Sequence, residues 1–311
     1  SHASRSLARK SMVLWMTRGR RIVSGLIQMM RFSLTVPNQF VLQAPTSVES
    51  LECGHGEQVK TRGLIAVDLR RGHTYASILT DIDRSRVLDL VPERKLEAAI
   101  GLLETLTPTQ RLSVKAVAMD MWPAYMSATR QCMPQADIVH DKFHVSKYLG
   151  EAVDAVRRQE HRKLSQAGSS PLTGSKWAWL KRYPDGRSAE AISFRALNQL
   201  NLKTSRAWCI KENFSQFWGY SYKGAAKRFF KAWSNNAMRS KLESVKKVVK
   251  MLRRHEEGLL NFSQHRISNA CAEGFNSAIQ LIKANARGFR NFTNHRARIL
   301  FHCGKLNLAM A

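Results

Sequence analysis

Acidic residues are scarce in this chain: 23 Asp and Glu stand against 50 Lys and Arg across 311 residues, leaving a formal charge of +27. None occurs before Glu49. A compact state with that excess repels itself, and the commonest compensation is a polyanionic partner, nucleic acid first. Long apolar runs are missing as well: no uncharged stretch approaches the ~20 residues needed to cross a bilayer, which excludes a simple spanning helix and predicts a protein free of membrane. Near the start the apolar stretches are broken by Arg18, Arg20, Arg21 and Arg31, which argues against a secretory leader. Cysteine is sparse. Cys53, Cys132, Cys209, Cys271 and Cys303 are odd in number and form no CxxC pair, so neither a disulfide framework nor a zinc knuckle is supported. All five are expected as small buried hydrophobes in a reducing interior.

What is present is globular. Hydrophobic residues at 44% and charged residues at 23% argue against wholesale disorder. Residues 1–62 interleave Arg5, Arg9 and Lys10 with Met12, Trp15 and Ile22, a basic amphipathic pattern that reads either as a DNA-contacting or membrane-surface arm or as a partly disordered leader. From Gly63 the texture changes. Leu64 to Asp68, Thr74 to Thr80 and Arg86 to Val91 read as three antiparallel strands, with Asp81 to Ser85 as a hairpin connection. Leu96, Ala99, Ile100, Leu103 and Leu106 fall at helical spacing over Lys95 to Leu106. Val114 to Met119 reads as a buried strand, Trp122 to Met133 as a helix and Ala136 to Val139 as a short strand. The resulting order, β-β-β-α-β-α-β followed by a basic helix over 145–164, predicts an α/β, ribonuclease H-like mixed sheet.

After Gly168-Ser169-Ser170-Pro171 strand alternation disappears, and an all-helical insertion is expected. Its aromatics, Trp177, Trp179, Trp208, Trp218, Trp233, Phe214, Phe217, Phe229 and Phe230, could stack bases, but aromatics at helical spacing are more often core. Ser244 to Leu260 reads as one amphipathic helix. Val245, Val248, Val249 and Leu252 lie on one face, and Lys246, Lys247, Lys250, Arg253 and Arg254 on the other, as a solvated face or a phosphate track. A C-terminal helical segment follows, capped by Ser268 or Asn269, broken at Gly288 and resumed through Ile299, Leu300 and Leu306. The expected organisation is a segment 1–62, a first part of the core over 63–164, the insertion over 165–262 and completion of the core over 263–311.

Three acids carry the chemistry. Asp68 and Asp120 each end an apolar strand, and in the inferred sheet the first and fourth strands are neighbours, so two carboxylates would share one end. Neighbouring carboxylates repel, and hard oxygen ligands suit Mg²⁺ or Mn²⁺. Glu273, early in a helix packed on that end, would complete the site. Singly, each acid has a structural reading: turn former, helix cap or dipole partner.

The stretches Val117-Ala118-Met119-Asp120-Met121-Trp122-Pro123-Ala124-Tyr125, Ala136 to Val145 around Asp141-Lys142-Phe143-His144, and Ser268 to Asn276 around Glu273, continued by Ala286 to Phe292, resemble the DDE transposases of the ISL3 insertion-sequence family. The resemblance runs in order from Gly63 to the end of the sequence. It implies a ribonuclease H-like core interrupted by a helical insertion, a triad matching Asp68, Asp120 and Glu273, and two Mg²⁺ (or Mn²⁺) ions cutting and rejoining phosphodiesters. Asp141, His144 and Asn276 are possible supporting residues, and Lys246, Lys247, Lys250, Arg253, Arg254, Arg287 and Arg290 candidate DNA contacts. The implied partners are transposon ends and target DNA, bound by a homodimer or higher oligomer in the cytoplasm, at the bacterial nucleoid. Two departures stand out. Leu69 follows Asp68 where the family usually has a second acid, and residues 1–62 offer only Cys53 toward the usual zinc-binding segment. A truncated or degenerate, non-catalytic DNA-binding remnant is the alternative.

Overall fold

A computed structural model of the chain describes residues 61–70, 74–181, 188–200, 202–267, 270–289 and 291–305, with backbone alone for 61–70, 74 and 270–273. All lie in the second of two units, Gln58–Ala311; the first, Ser1–Glu57, with the expected basic arm, is outside the described residues. So are the proposed cap at Ser268 or Asn269, Arg290 and Leu306.

The fold is α/β, mostly helical around one small mixed sheet. Strands β1 (Thr61–Arg70), β2 (Thr74–Asp81) and β3 (Arg86–Pro92) are antiparallel, while β4 (Ala116–Met119) and β5 (Asp137–His140) run parallel to β1. The order is β3-β2-β1-β4-β5, so the first and fourth strands are indeed neighbours. The β2–β3 hairpin turns through Ser85 at φ 48°, and Asp81 holds it by accepting from the Arg84 amide at 3.2 Å and the Arg86 Nε at 3.3 Å. An Asp is favoured there because its short carboxylate reaches backbone donors a few residues on.

Between β3 and β4 lie α1 (Leu96–Glu104) and α2 (Pro108–Ser113). The single helix expected over Lys95 to Leu106 stops early because Thr107 and Gln110 form a reciprocal capping box with Pro108 at the first helical position, which starts a new helix instead. Then come α3 (Pro123–Cys132) and the long α4 (Lys142–Gln166). Alternation along β2 sorts the two faces of the sheet. Leu79, with Val117 and Met119, packs under α1 and α3, whereas Ala76 and Ile78 meet the C-terminal helices.

The region expected to be all-helical is so among the described residues: α5 (Lys176–Leu180), α6 (Ala189–Gln199), α7 (Lys203–Phe214), a 3₁₀ turn (Ser215–Gly219), α8 (Lys223–Arg239), α9 (Glu243–Arg254), α10 (Glu256–Leu260) and α11 (Phe262–His265). Its aromatics are core. Phe194 lies edge-on between Trp179 and Trp208 at 5.0 and 4.9 Å, and Phe214 packs on Trp233 at 4.5 Å. Trp177 and Tyr222 are exceptions, 63% and 70% exposed. This core is continuous with α4 through Val145, Leu149, Val153 and Val156. Polar ties add to it: the Glu160 carboxylate of α4 accepts from the Lys203 and Thr204 amides at 2.8 and 2.7 Å, capping α7, and the Asn261 amide donates to the Ile138 carbonyl of β5 at 3.0 Å.

The helix expected over Ser244 to Leu260 breaks at His255 into α9 and α10. Beyond the break α10 lies against β5, and a Cβ at Gly258 would collide with the His140 ring, so the close approach needs glycine. Finally α12 (Ala270–Asn285) packs against β1, and α13 (Phe292–Cys303) against β3. The break at Gly288 is as expected: it takes φ 97°, and its amide donates back to the Lys283 carbonyl at 3.0 Å. Of the cysteines described with side chains, Cys303 is buried, but Cys132 is half-buried and Cys209 exposed, correcting the expectation of uniform burial. Among the described residues no helix is long and apolar enough to cross a membrane.

Candidate functional site

The parallel strands β4 and β5 end side by side, Met119 in register with His140, and each delivers an acid at the next residue. Asp120 and Asp141 thereby stand together at the C-terminal end of the sheet, and the Asp141 amide donates to the Met119 carbonyl at 3.1 Å. Apolar strands drive this placement. Ala116, Val117, Ala118 and Met119 are fully buried, so the first residue able to reach a polar ligand is the one that follows them.

Asp120 is largely buried, and its Oδ1 has no hydrogen-bond partner among the described residues. Burial pushes its carboxyl above the usual carboxylate range; His144, Arg94 and Lys147 pull against that, and the neighbouring Asp141 adds to it. Asp141 is buried at the N-cap of α4, making no side-chain cap, and His144 is half-buried in the first turn. Two of the three supporting candidates therefore surround Asp120. The third, Asn276, is exposed on α12.

Asp68 lies on β1 beyond Leu64, the last β1 residue paired with β4, at a register irregularity, and pairs with Tyr75 of β2. Glu273 is the fourth residue of α12, the helix that packs against β1. The side chains of both are outside the described residues, as is all of Arg290. Among the described residues no group of three His, Cys, Asp or Glu is arranged to hold a metal ion.

The candidate DNA contacts divide. On α9, Val245, Val249 and Leu252 are buried and Lys247, Lys250, Arg253 and Arg254 exposed, as the pattern required. Arg253, however, is spent within the fold, donating to Ser234 Oγ at 3.2 Å and Asn235 Oδ1 at 2.7 Å of α8, and Lys246 pairs with Glu243 at 2.7 Å. Arg287 is exposed, at φ 51° beside Gly288. Just past the last turn of α9, the His255 ring lies 5.2 Å from that of His140, which brings the end of the basic helix to the end of β5.

Sequence reasoning missed one group. Arg94, in the β3–α1 connection, places its guanidinium over the rings of Tyr75 at 4.9 Å and Trp122 at 4.3 Å, with NH2 3.6 Å from Asp120 Oδ2. Nothing local marks it. The nearest signal is Trp122, which was quoted in the Asp120 motif and whose Nε1 donates to the Arg94 carbonyl at 3.1 Å.

A family model described as a transposase, of the ISL3 DDE type, matches residues 66–299. The chain is 29% identical over 226 residues to the transposase for insertion sequence element IS1001 of Bordetella parapertussis, covering 72% of this chain and 56% of that one. It is 24% identical over 257 residues to the transposase for IS1557 of Mycobacterium tuberculosis, covering 74% of this chain and 56% of that one. This chain thus spans about half the length of these relatives. No solved structure gives a significant match.

Proposed function

This chain belongs to the ISL3 family of DDE transposases, and on that premise we propose that it cuts and rejoins DNA at the ends of an insertion sequence, using Asp68, Asp120 and Glu273 to hold two Mg²⁺ or Mn²⁺ ions. Support for a ribonuclease H-like core comes from the strand order, three antiparallel strands followed by two parallel ones beside the first. The observation that carries the catalytic reading is Asp120. A desolvated carboxylate with one buried oxygen left without a donor fits a divalent cation, because such an ion returns the solvation that burial removed.

When bound, the ions would supply an activated water and stabilise the leaving 3′ oxygen of an in-line phosphodiester displacement. The chain's own side chains do the rest. Asp120 holds its carboxylate at the sheet end with Asp141 beside it, Arg94, His144 and Lys147 offset the accumulated negative charge, and Trp122 and Phe143, each two residues past a strand-end acid, are exposed. The exposed Lys247, Lys250 and Arg254 of α9 form a row at helical spacing that would track phosphates toward the acids. The partner is DNA, engaged by a homodimer or larger assembly at the nucleoid.

The test is nicking of a labelled duplex spanning the junction between the element and its flank. Mg²⁺-dependent cleavage lost in Asp120→Ala is the expected result, and cleavage unchanged in that variant contradicts the assignment. Salt-sensitive binding with no nicking by the wild type would favour the non-catalytic remnant, the reading motivated by Leu69 beside Asp68.

A further inference from the structure

We propose that Arg94 is a phosphate-binding residue: its guanidinium takes a non-bridging oxygen of the DNA strand seated at Asp120, and in the absence of DNA serves as a counter-cation to that carboxylate. This rests on the DNA-processing reading above and goes beyond it, since it assigns a role to a residue outside the triad.

The internal comparison is with the arginines that serve the fold. Arg157 holds Asp154 through Nε and NH2 at 2.9 and 2.8 Å, and Arg296 holds Asp89 at 2.7 Å, the short contacts of charge-assisted hydrogen bonds. Arg94 is different. Its closest carboxylate oxygen is 3.6 Å away, beyond hydrogen-bond reach, and its buried Nε has no partner among the described residues. The guanidinium lies over two aromatic rings, Tyr75 and Trp122, and within reach of the Tyr125 hydroxyl, a setting that suits a planar, weakly hydrated cation and engages no carboxylate at hydrogen-bond distance.

The connection that carries it is pinned on both sides. Glu93 adopts φ 73°, a region that non-glycine residues rarely enter, and stays there because its amide donates to the Tyr75 carbonyl at 2.8 Å while its own carbonyl accepts from Ser77 Oγ at 2.7 Å. Ser77 in turn shares a hydrogen bond of 2.8 Å with the Tyr125 hydroxyl. Strain held this firmly, one residue before a cation that engages no carboxylate at hydrogen-bond distance, is the arrangement of a ligand contact that is built in advance. The Arg94 side chain is 22% exposed, enough for an anion to reach.

A consequence follows from charge alone. A guanidinium 3.6 Å from Asp120 opposes a divalent ion on the same carboxylate, and an arriving phosphate relieves the opposition. Metal and DNA should therefore bind with positive coupling that depends on Arg94.

The experiment uses the full chain and the labelled junction duplex, titrated by fluorescence anisotropy in EDTA over a series of salt concentrations. Arg94→Gln is expected to bind about tenfold more weakly and to lose about one phosphate from the salt dependence, a slope change near 0.9. Arg94→Lys, which keeps the charge between the rings, is expected to retain the wild-type slope with intermediate affinity, and so separates a lost contact from a misfolded variant. Calorimetric titration with Mn²⁺ in the absence of DNA should show tighter binding to Arg94→Gln than to the wild type. Wild-type affinity and slope in Arg94→Gln would overturn the proposal, as would weaker Mn²⁺ binding by that variant. Asp120→Asn, run alongside for nicking, keeps the two readings apart: loss of nicking with an unchanged Arg94→Gln slope sinks this inference alone, whereas an altered slope without any nicking sinks only the catalytic one.

Discussion

Aromatic side chains serve opposite ends in two regions of this molecule. In the helical region Phe214, Phe217, Trp218 and Trp233 turn their rings on one another and are nearly inaccessible, so their value is area removed from water. At the sheet end Tyr75 and Trp122 face a guanidinium, and Trp122 and Phe143 reach solvent, 39% and 53% exposed. The same residue types thus build a scaffold in one place and hold charge in the other. The difference lies in what surrounds them: apolar helices in the first case, carboxylates and cations in the second.

The largest expected effect is on the scaffold. Phe214→Ala removes a fully enclosed ring and should cost about 3–5 kcal/mol of unfolding free energy, read by urea denaturation; a loss under ~1 kcal/mol would show that the cluster is not the core it is taken to be. At the sheet end the expected pattern is inverted. Asp120→Asn should lower the cleavage rate by roughly 10²–10³ while leaving the melting temperature at neutral pH unchanged or higher. The sign follows from its raised pKa: the folded state disfavours the charged form, so the penalty is present above the folded value and vanishes as pH falls below the unfolded one.

His140, one strand away, should respond to pH in the opposite sense. Burial first, then the positive charge available at His255, lowers its pKa from 6.5 to about 4, so its contribution is fully present above pH 6.5 and is lost as pH falls toward 4, on the order of 3 kcal/mol in all. His140→Gln should flatten the stability profile across that window, and a profile unchanged by the substitution would place the titration elsewhere. The smallest effect belongs to Lys250. Lys250→Ala should leave stability within ~0.5 kcal/mol but reduce the salt slope of DNA binding by about 0.9; an unchanged slope would return the α9 face to ordinary solvation.

Much of the fold was legible because its signals are local. Val245, Val249 and Leu252 recur at helical spacing and are buried, the Val114 to Met119 run ends on Asp120 as a buried strand should, and Gly288 takes the left-handed conformation its position called for. Misreadings arose where a neighbouring cap or a distant contact overrode the helical periodicity. The break at His255 comes where the following helix, α10, packs against β5, and the early end of α1 where a capping pair starts the next helix. Arg253, read as a surface charge, is used up on α8. Of the candidate site, Asp120 with Asp141 and His144 could be foreseen from strand ends, because a residue directly after a buried run must emerge beside its neighbour's. Arg94 could not be foreseen, since its partner acid belongs to another strand and only the stacked rings bring them together.

Composition and periodicity by themselves determined that this chain is a basic α/β protein with acids at strand ends, since charge and hydrophobic spacing are properties of the polymer read residue by residue. Tertiary structure alone decided which charges meet: that Asp120 is left with an unsolvated oxygen, and that an arginine held over two aromatic rings stands 3.6 Å from it. Desolvation and proximity depend on packing between segments distant along the chain, and no local pattern encodes them.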